Sequence, residues 1–398
     1  MTIKKRFVIS KRDIRNVIFF SLIIFAFLKP DSLEYIGLKW LDTLCVIVDV
    51  LVMGILGIFA LVRRYKISPC TVMIAMIYLT IGVCTALGTK EFFDLLKVAG
   101  TAVGFALFTD YMIQKKTDVF FKASIALLLF LFIINFVTIV QYYPVGMYRM
   151  EKVVGDLYFM GHDNAMIYNL IPLCALSFVF SYLRHNRLLS WYSVLSLTIT
   201  LASELYVRSA TGIIEVLLLI VLVVMYDNKY LKYVIQPKIL IITYLVFNVL
   251  LVFVRIQNHF AWFIQGVLGK DLTFTGRTVL WDFALMGILQ NRFLGYGMGT
   301  VIYGTNGHTY PHCHNLLLDF LYKGGAISLI FFLVLLFLFS KYYNKAKDKR
   351  LAKLILIPTF ILLFGEITSA MPYKVYFWSF LVLIQYVNYM RLQLRREV

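Results

Sequence analysis

The side chains best suited to acid–base and phosphate chemistry are concentrated between Gly276 and Gly325. This polar segment lies between two long apolar runs and contains Arg277, Arg292, His308, His312 and His314. An imidazole can accept a proton near neutral pH. A guanidinium stays charged and can bind two phosphate oxygens at once. A simple connecting loop would need none of these residues, so we expect the functional site here.

The elements that position this segment are predicted to be transmembrane helices. Of the 398 residues, 61% are hydrophobic, and the mean hydropathy is +0.81, which is outside the range of soluble proteins. A helix crosses a bilayer with roughly 17 to 25 apolar residues. We therefore predict an all-α, polytopic transmembrane protein with about 12 spans, near residues 16–29, 40–62, 69–88, 92–113, 119–143, 163–183, 189–206, 210–226, 237–255, 314–340, 351–370 and 373–390. The two runs beside Arg208 could also form one broken helix.

Basic residues predict the side of the membrane on which each loop lies, because cytoplasmic loops carry an excess of Lys and Arg. Every second loop is basic, and these pieces hold more than half of the 39 Lys and Arg residues: 4–15, 63–66, 114–118, 184–187, 227–233, 341–350 and 391–396. Both termini are then predicted to be cytoplasmic. Topology and attraction to anionic lipids account for the formal charge of +18. We therefore expect membrane lipids, and no nucleic acid, as partners.

A single integral membrane domain is predicted over residues 1–398, since no linker, repeat or low-complexity tract divides the chain. Residues 256–313 form the largest predicted extracytoplasmic loop. Within it, Arg277 to Arg292 has helical periodicity, with a predicted apolar face of Leu280, Phe283, Ala284, Gly287 and Ile288. We expect an amphipathic helix along the membrane surface, on which Arg277 and Trp281 share a face.

Two short motifs follow this helix. Gly295, Gly297 and Gly299 allow a turn that either packs tightly on neighbouring helices or cradles a phosphate. Residues 311–315 then bring Cys313, the one cysteine expected near a surface, and two histidines to the start of the tenth span. Adjacent histidines without a second ligand group at a regular spacing do not suggest a zinc site, so we expect no metal.

The order of these features resembles the bacterial O-antigen ligase and polysaccharide polymerase family. The resemblance runs through Arg277 and Trp281, the glycine cluster, His314-Asn315 and Gly324-Gly325, over about 50 residues. Residues 158–164 and 206–212 resemble two further segments of that family. The sequence differs at Arg292, where the family commonly has proline, and around Arg208, which Ser209 follows instead of preceding.

That family consists of polytopic membrane glycosyltransferases that move glycans from undecaprenyl diphosphate. The resemblance implies a metal-independent, inverting displacement without a cofactor, with His314 as catalytic base. Because a guanidinium stays charged and binds phosphate oxygens bidentately, we expect Arg277 and Arg208 to contact the departing diphosphate. Residues expected to bind substrate are Arg208, Trp281, Asn315, Arg149 and His312. The implied substrate is an undecaprenyl-diphosphate-linked oligosaccharide, and we also expect a flippase and a chain-length regulator as partners.

Several of these residues also have an ordinary structural explanation. Arg277 could extend to lipid headgroups, Arg208 could pair with Glu204 four residues earlier, and Arg149 could be a solvated loop charge. The buried acids are scattered in the sequence, which disfavours the paired carboxylates of a glycoside hydrolase.

The leading functional hypothesis is a polymerase that joins lipid-linked repeat units at the outer face of the cytoplasmic membrane. A ligase that transfers a finished glycan to another acceptor is the alternative within the same class. A transporter of lipid-linked glycans is the alternative from a different class. Transport would favour broken helices in repeated halves with charges near the membrane midplane, whereas the strongest cluster here lies in one outward loop.

Overall fold

The computed structural model describes residues 11–148, 156–230, 233–260, 262, 276–304, 309–370 and 374–397. In these ranges the chain folds into helices α1 to α14, which are, in order, Lys11–Leu28, Lys39–Leu61, Pro69–Leu87, Phe92–Lys115, Thr117–Tyr142, Ile167–His185, Trp191–Val207, Ala210–Val224, Pro237–Val252, Arg277–Gln290, Leu316–Lys345, Lys349–Gly365, Val375–Leu383 and Val387–Glu397. Two antiparallel hairpins join β1 (Leu157–Tyr158) to β2 (Gly161–His162) and β3 (Ile302–Tyr303) to β4 (Thr309–Tyr310). The predicted all-α class is confirmed.

A helix is found at each of the twelve predicted apolar runs. Within the described ranges, six helices are long and apolar enough to cross a membrane, namely α2 to α6 and α11, and α8 and α9 are shorter apolar helices. The chain is therefore a multi-pass membrane protein, while the number of about 12 spans stays a prediction. The runs beside Arg208 form two helices, because Arg208 ends α7 in a left-handed conformation with φ 59°.

The inner part of the bundle is formed by α6, α12 and α13, whose side chains are buried almost throughout. Outer helices expose large apolar side chains, such as Leu51 on α2 and Leu217 on α8, as expected for surfaces that face lipid. A smaller apolar cluster joins α10 to α11 and to the β3–β4 hairpin. This second cluster holds the outward segment against the bundle.

The helix α10 confirms the predicted element but not all of its predicted apolar face. Leu280 and Ala284 are buried as expected, whereas Phe283 is 44% exposed. Trp281, which was not part of the predicted apolar face, is fully buried. It is buried because this side of α10 lies against α11 and the hairpin. Trp281 and Arg277 therefore do not form a shared exposed face, which corrects that expectation.

Candidate active site

The two glycine clusters of the motif form one junction. Gly325 has φ 68° and ψ −169° and interrupts the helical backbone of α11. The carbonyls of Tyr322 and Lys323 consequently accept the backbone N–H groups of Tyr296 at 2.8 Å and Gly297 at 2.9 Å. Residues distant in the sequence thus complete each other's hydrogen bonds.

This junction decides between the two explanations of the glycine turn. The N–H of Gly295 donates to Cys84 Sγ at 3.2 Å, and the N–H of Met298 donates to Thr85 Oγ1 at 2.9 Å. A Cβ added to Gly297, at φ 82°, would lie 2.5 Å from the Cα of Thr85. The glycines therefore permit close packing on α3 and α11, and the N–H groups of residues 295–298 already have protein partners.

A rigid turn carries the histidines from β4 to α11. Asp319, on the first turn of α11, accepts the N–H of Cys313 through Oδ1 at 3.1 Å. The indole Nε1 of Trp281 donates to the carbonyl of the same cysteine at 3.1 Å. Cys313 itself is fully buried, which corrects the expectation that it lies near a surface. Both backbone polar groups of Cys313 are thus held, so the histidines on either side have defined positions.

The imidazoles of His312 and His314 are adjacent, with ring centroids 4.1 Å apart. The backbone N–H of His314 donates to Nδ1 of His312 at 3.4 Å, so a neutral His312 carries its proton on Nε2. By contrast, Nδ1 of His314 is buried and has no partner among the described residues. His314 has φ 48°, a conformation uncommon for a residue other than glycine and often associated with functional sites.

Electrostatics keep both imidazoles neutral. Burial lowers the pKa of His314 to about 2, and the neighbouring His312 and Arg277 lower this pKa further while Asp319 raises it. Burial also lowers the pKa of His312 to about 3, with Lys323 and Arg277 acting in the same direction. Both imidazoles are thus in the neutral form that can accept a proton. A pKa this low makes His314 a weak base, and an anion bound beside Arg277 would raise this pKa and strengthen the base.

Arg277 is the first residue of α10, and its charge acts on both histidines. Burial lowers the pKa of Arg277, an effect that the nearby Tyr168 opposes; an arginine nevertheless keeps its charge in proteins. Within the described part of the chain, no carboxylate lies within ion-pair distance of Arg277. A partly buried guanidinium without a protein anion is well suited to bind an anionic substrate.

Arg255, which the sequence analysis missed, anchors the start of α10. It forms an ion pair with Asp282, donates to the carbonyl of Thr278 at 3.1 Å, and its guanidinium lies 5.4 Å from the centre of the Trp281 ring. These contacts connect the end of α9 to the helix that carries Arg277. The preceding loop gives no periodic signal that would mark Arg255 for this role.

A buried ion pair stabilises the other side of the histidine turn. Lys323 Nζ lies 2.9 Å from Asp319 Oδ2, and both side chains are less than a tenth exposed. Asp319 therefore joins Lys323 to the Cys313 backbone in one network. The spacing of four residues on a helix is the sequence signal that could have identified this pair.

A cavity of about 340 Å³ opens beside this network. Its walls include His312, Lys323 and Asp319 from the site and Lys97 from α4. We call it the histidine cavity. It is concave and partly polar, as substrate sites usually are. It also lies next to the imidazole pair.

The other residues singled out in the sequence are Asn315, Arg149, His308 and Arg208. Asn315 is fully buried and caps α11: its Oδ1 accepts from Leu318, and its Nδ2 donates to Asn248 and to the Ile367 carbonyl. We therefore assign Asn315 to holding the fold instead of binding substrate. Arg149 and His308 lie outside the described residues.

Arg208 is an exposed residue at the turn between α7 and α8. No described contact connects it to Arg277 or to the histidines. The alternative explanation, in which Arg208 pairs with Glu204, is not supported, since the Glu204 carboxylate lies against Gly212 and is bonded to no described arginine. The hydroxyl of the neighbouring Ser209 lies 3.3 Å from Asn164 Oδ1. The segments 158–164 and 206–212, which both resemble the family, are therefore in contact.

Comparisons with known proteins agree with this arrangement. A family model described as O-antigen ligase matches residues 188–333, which contain Arg208, α10, the glycine turn and both histidines. Searches of curated proteins and of solved structures returned no match. The resemblance noted from the motifs is thus confirmed over residues 188–333, which match the O-antigen ligase family model.

Proposed function

We propose that this protein is a membrane glycosyltransferase that polymerises lipid-linked oligosaccharide repeat units. One observation carries the proposal: the imidazoles of His312 and His314 are adjacent beside a cavity that His312 lines, and the charge of Arg277, which has no ion-pair partner among the described residues, acts on both. The match of residues 188–333 to the O-antigen ligase family model supports the chemical class. We propose one integral membrane domain in the cytoplasmic membrane, with both termini cytoplasmic and the site at the outer face.

The proposed reaction is a direct displacement. His314 removes the proton from an acceptor hydroxyl, and the resulting oxygen attacks the anomeric carbon of the donor glycan. The bond from that carbon to the diphosphate oxygen breaks with inversion, and undecaprenyl diphosphate leaves with its electron pair. Arg277 stabilises the negative charge on the departing diphosphate. The proton on His314 then passes to water.

The two histidines have different roles in this scheme. The proton of a neutral His312 is on Nε2, so His312 donates a hydrogen bond to substrate in the histidine cavity. His314 retains a buried ring nitrogen, Nδ1, that has no partner among the described residues, and in this scheme that nitrogen accepts the proton. Trp281 acts through the backbone of Cys313 and is therefore a positioning residue.

The test is glycan lengthening by the purified protein in nanodiscs, with undecaprenyl-diphosphate-linked repeat units as the only substrate and a chelator present. We expect a ladder of products, lost in His314→Ala and Arg277→Ala. Arg292→Ala is the matched control, since Arg292 is an exposed arginine after the other end of α10. Normal ladders from the two site variants would refute the assigned roles.

The same preparation separates the alternatives. A single transfer to a different acceptor, without a ladder, would identify a ligase. Movement of the lipid-linked repeat across proteoliposomes without a new glycosidic bond would identify a transporter.

A further inference from the structure

A second cavity lies beside the histidine cavity, enclosed by α1, α2, α4, α6 and the start of α13. Its volume is about 380 Å³, and Lys97 and Val98 of α4 line both cavities. We call it the amide cavity, after Asn169 in its wall. The two cavities therefore share part of one wall on α4.

The charges around the amide cavity are mostly neutralised by each other. Lys29 forms an ion pair with Asp42, and Lys374 lies 3.2 Å from Asp31. All four residues line the cavity. Two of the three lysines in the wall thus have carboxylate partners, while Lys97 and Glu34 also line the cavity. Lysines that already have carboxylate partners are poor sites for a diphosphate, so most of this wall differs from the surroundings of Arg277.

Two polar atoms in the wall lack partners. The side-chain oxygen of Asn169 is buried without a hydrogen bond in the described structure, and Asn169 is only 2% exposed. Nδ1 of His162 is likewise buried and unpaired. Buried polar groups are normally satisfied, so unpaired atoms on two residues of a cavity wall point to a ligand with matching groups. Hydroxyl groups, which both donate and accept, match an amide oxygen and an imidazole nitrogen.

We propose that the amide cavity binds a neutral sugar unit of the lipid-linked substrate, with Asn169 and His162 bonding its hydroxyls. This inference rests on the proposed function, since it assigns the substrate's diphosphate to the neighbourhood of Arg277 and its sugar to the adjoining cavity. Asn169 and His162 would then determine which glycans are accepted, without contacting the reacting atoms.

The experiment measures binding of two separate probes to the purified protein in nanodiscs. One probe is undecaprenyl diphosphate, and the other is the oligosaccharide released by mild acid from the lipid-linked repeat. Each hydrogen bond to a neutral group contributes roughly 1 kcal/mol, or about fivefold in affinity. We expect Asn169→Leu to weaken oligosaccharide binding by about that factor or more, with the affinity for undecaprenyl diphosphate unchanged.

Chemical footprinting of the unaltered protein gives a second measurement that does not depend on a variant. The oligosaccharide should slow carbethoxylation of His162, whereas His185, an exposed histidine at the other end of α6, should react at the same rate with and without it. Undecaprenyl diphosphate alone should protect neither histidine.

Unchanged oligosaccharide affinity in Asn169→Leu together with an unprotected His162 would overturn the inference. So would the absence of oligosaccharide binding to the unaltered protein. A failure of the proposed function is distinguishable, because a protein that binds the oligosaccharide at His162 but never lengthens a glycan would retain the sugar site and lose the polymerase assignment.

Discussion

The indole N–H of Trp281 donates to the carbonyl of Cys313 at 3.1 Å, across 32 positions of the sequence. This bond connects the helix that carries Arg277 to the turn that carries His312 and His314. Together with the contacts of Arg255 and Asp319, this buried bond holds the guanidinium and the imidazoles in their relative positions.

Replacing Trp281 by Phe should keep most of the packing and remove the bond. A buried carbonyl left without its donor costs about 1 to 3 kcal/mol, so we expect a lower Tm and a lower kcat with little change in KM. Trp191→Phe is the control, since Trp191 is 75% exposed at the start of α7. Equal effects in both variants would contradict a positioning role.

Replacing Arg277 by Lys should retain the positive charge and remove the bidentate geometry. Loss of one preorganised donor typically lowers the rate about 10²- to 10³-fold, and a lysine binds phosphate only as a point charge. We expect a fall in kcat/KM near that range, measured by glycan lengthening, and no comparable change in Arg292→Lys. A fully active Arg277→Lys would argue against contact with the diphosphate.

The pH dependence of activity should reflect the low pKa of His314. Since its pKa is about 2 instead of the ordinary 6.5, the imidazole stays neutral as pH falls through 6.5. We therefore expect kcat/KM to show no decline with an apparent pKa near 6.5. A decline with an apparent pKa near 6.5 would contradict the buried environment.

The low pKa of His314 should also make the stability of the folded protein depend on pH. The unfolded chain binds a proton on His314 near pH 6.5 and the folded chain does not, so the free energy of unfolding falls as pH drops below 6.5. Replacing His314 by Asn should reduce this loss. Thermal unfolding of both proteins between pH 8 and pH 5 measures the difference, and identical slopes would exclude the shift.

The Asp319–Lys323 pair should show strong coupling. Removing Lys323 alone, as Lys323→Met, leaves a buried carboxylate without its cation, which typically costs about 3 to 5 kcal/mol. Asp319→Asn combined with Lys323→Met removes the charge while the amide oxygen still accepts from Cys313, so we expect much of the stability to return. Thermal unfolding of the single and double variants gives the coupling energy, and additive effects would contradict the network.

The sequence by itself determined the helical class and the approximate helix positions, because long apolar runs leave the backbone few alternatives in a bilayer. It also identified Arg277 and the histidines, since polar residues are conspicuous in an apolar chain. The glycine clusters were recognised, but their function was left open.

Only the tertiary structure decided which residues meet. It showed that the two glycine clusters complete each other's backbone hydrogen bonds, that Trp281 and Asn315 face inward, and that Asp319 and Arg255 hold the site. These contacts depend on how separate helices pack, and helical periodicity describes a single helix only. The adjoining cavities likewise arise between helices distant in the sequence, which explains why residues such as Asn169 gave no sign of their position there.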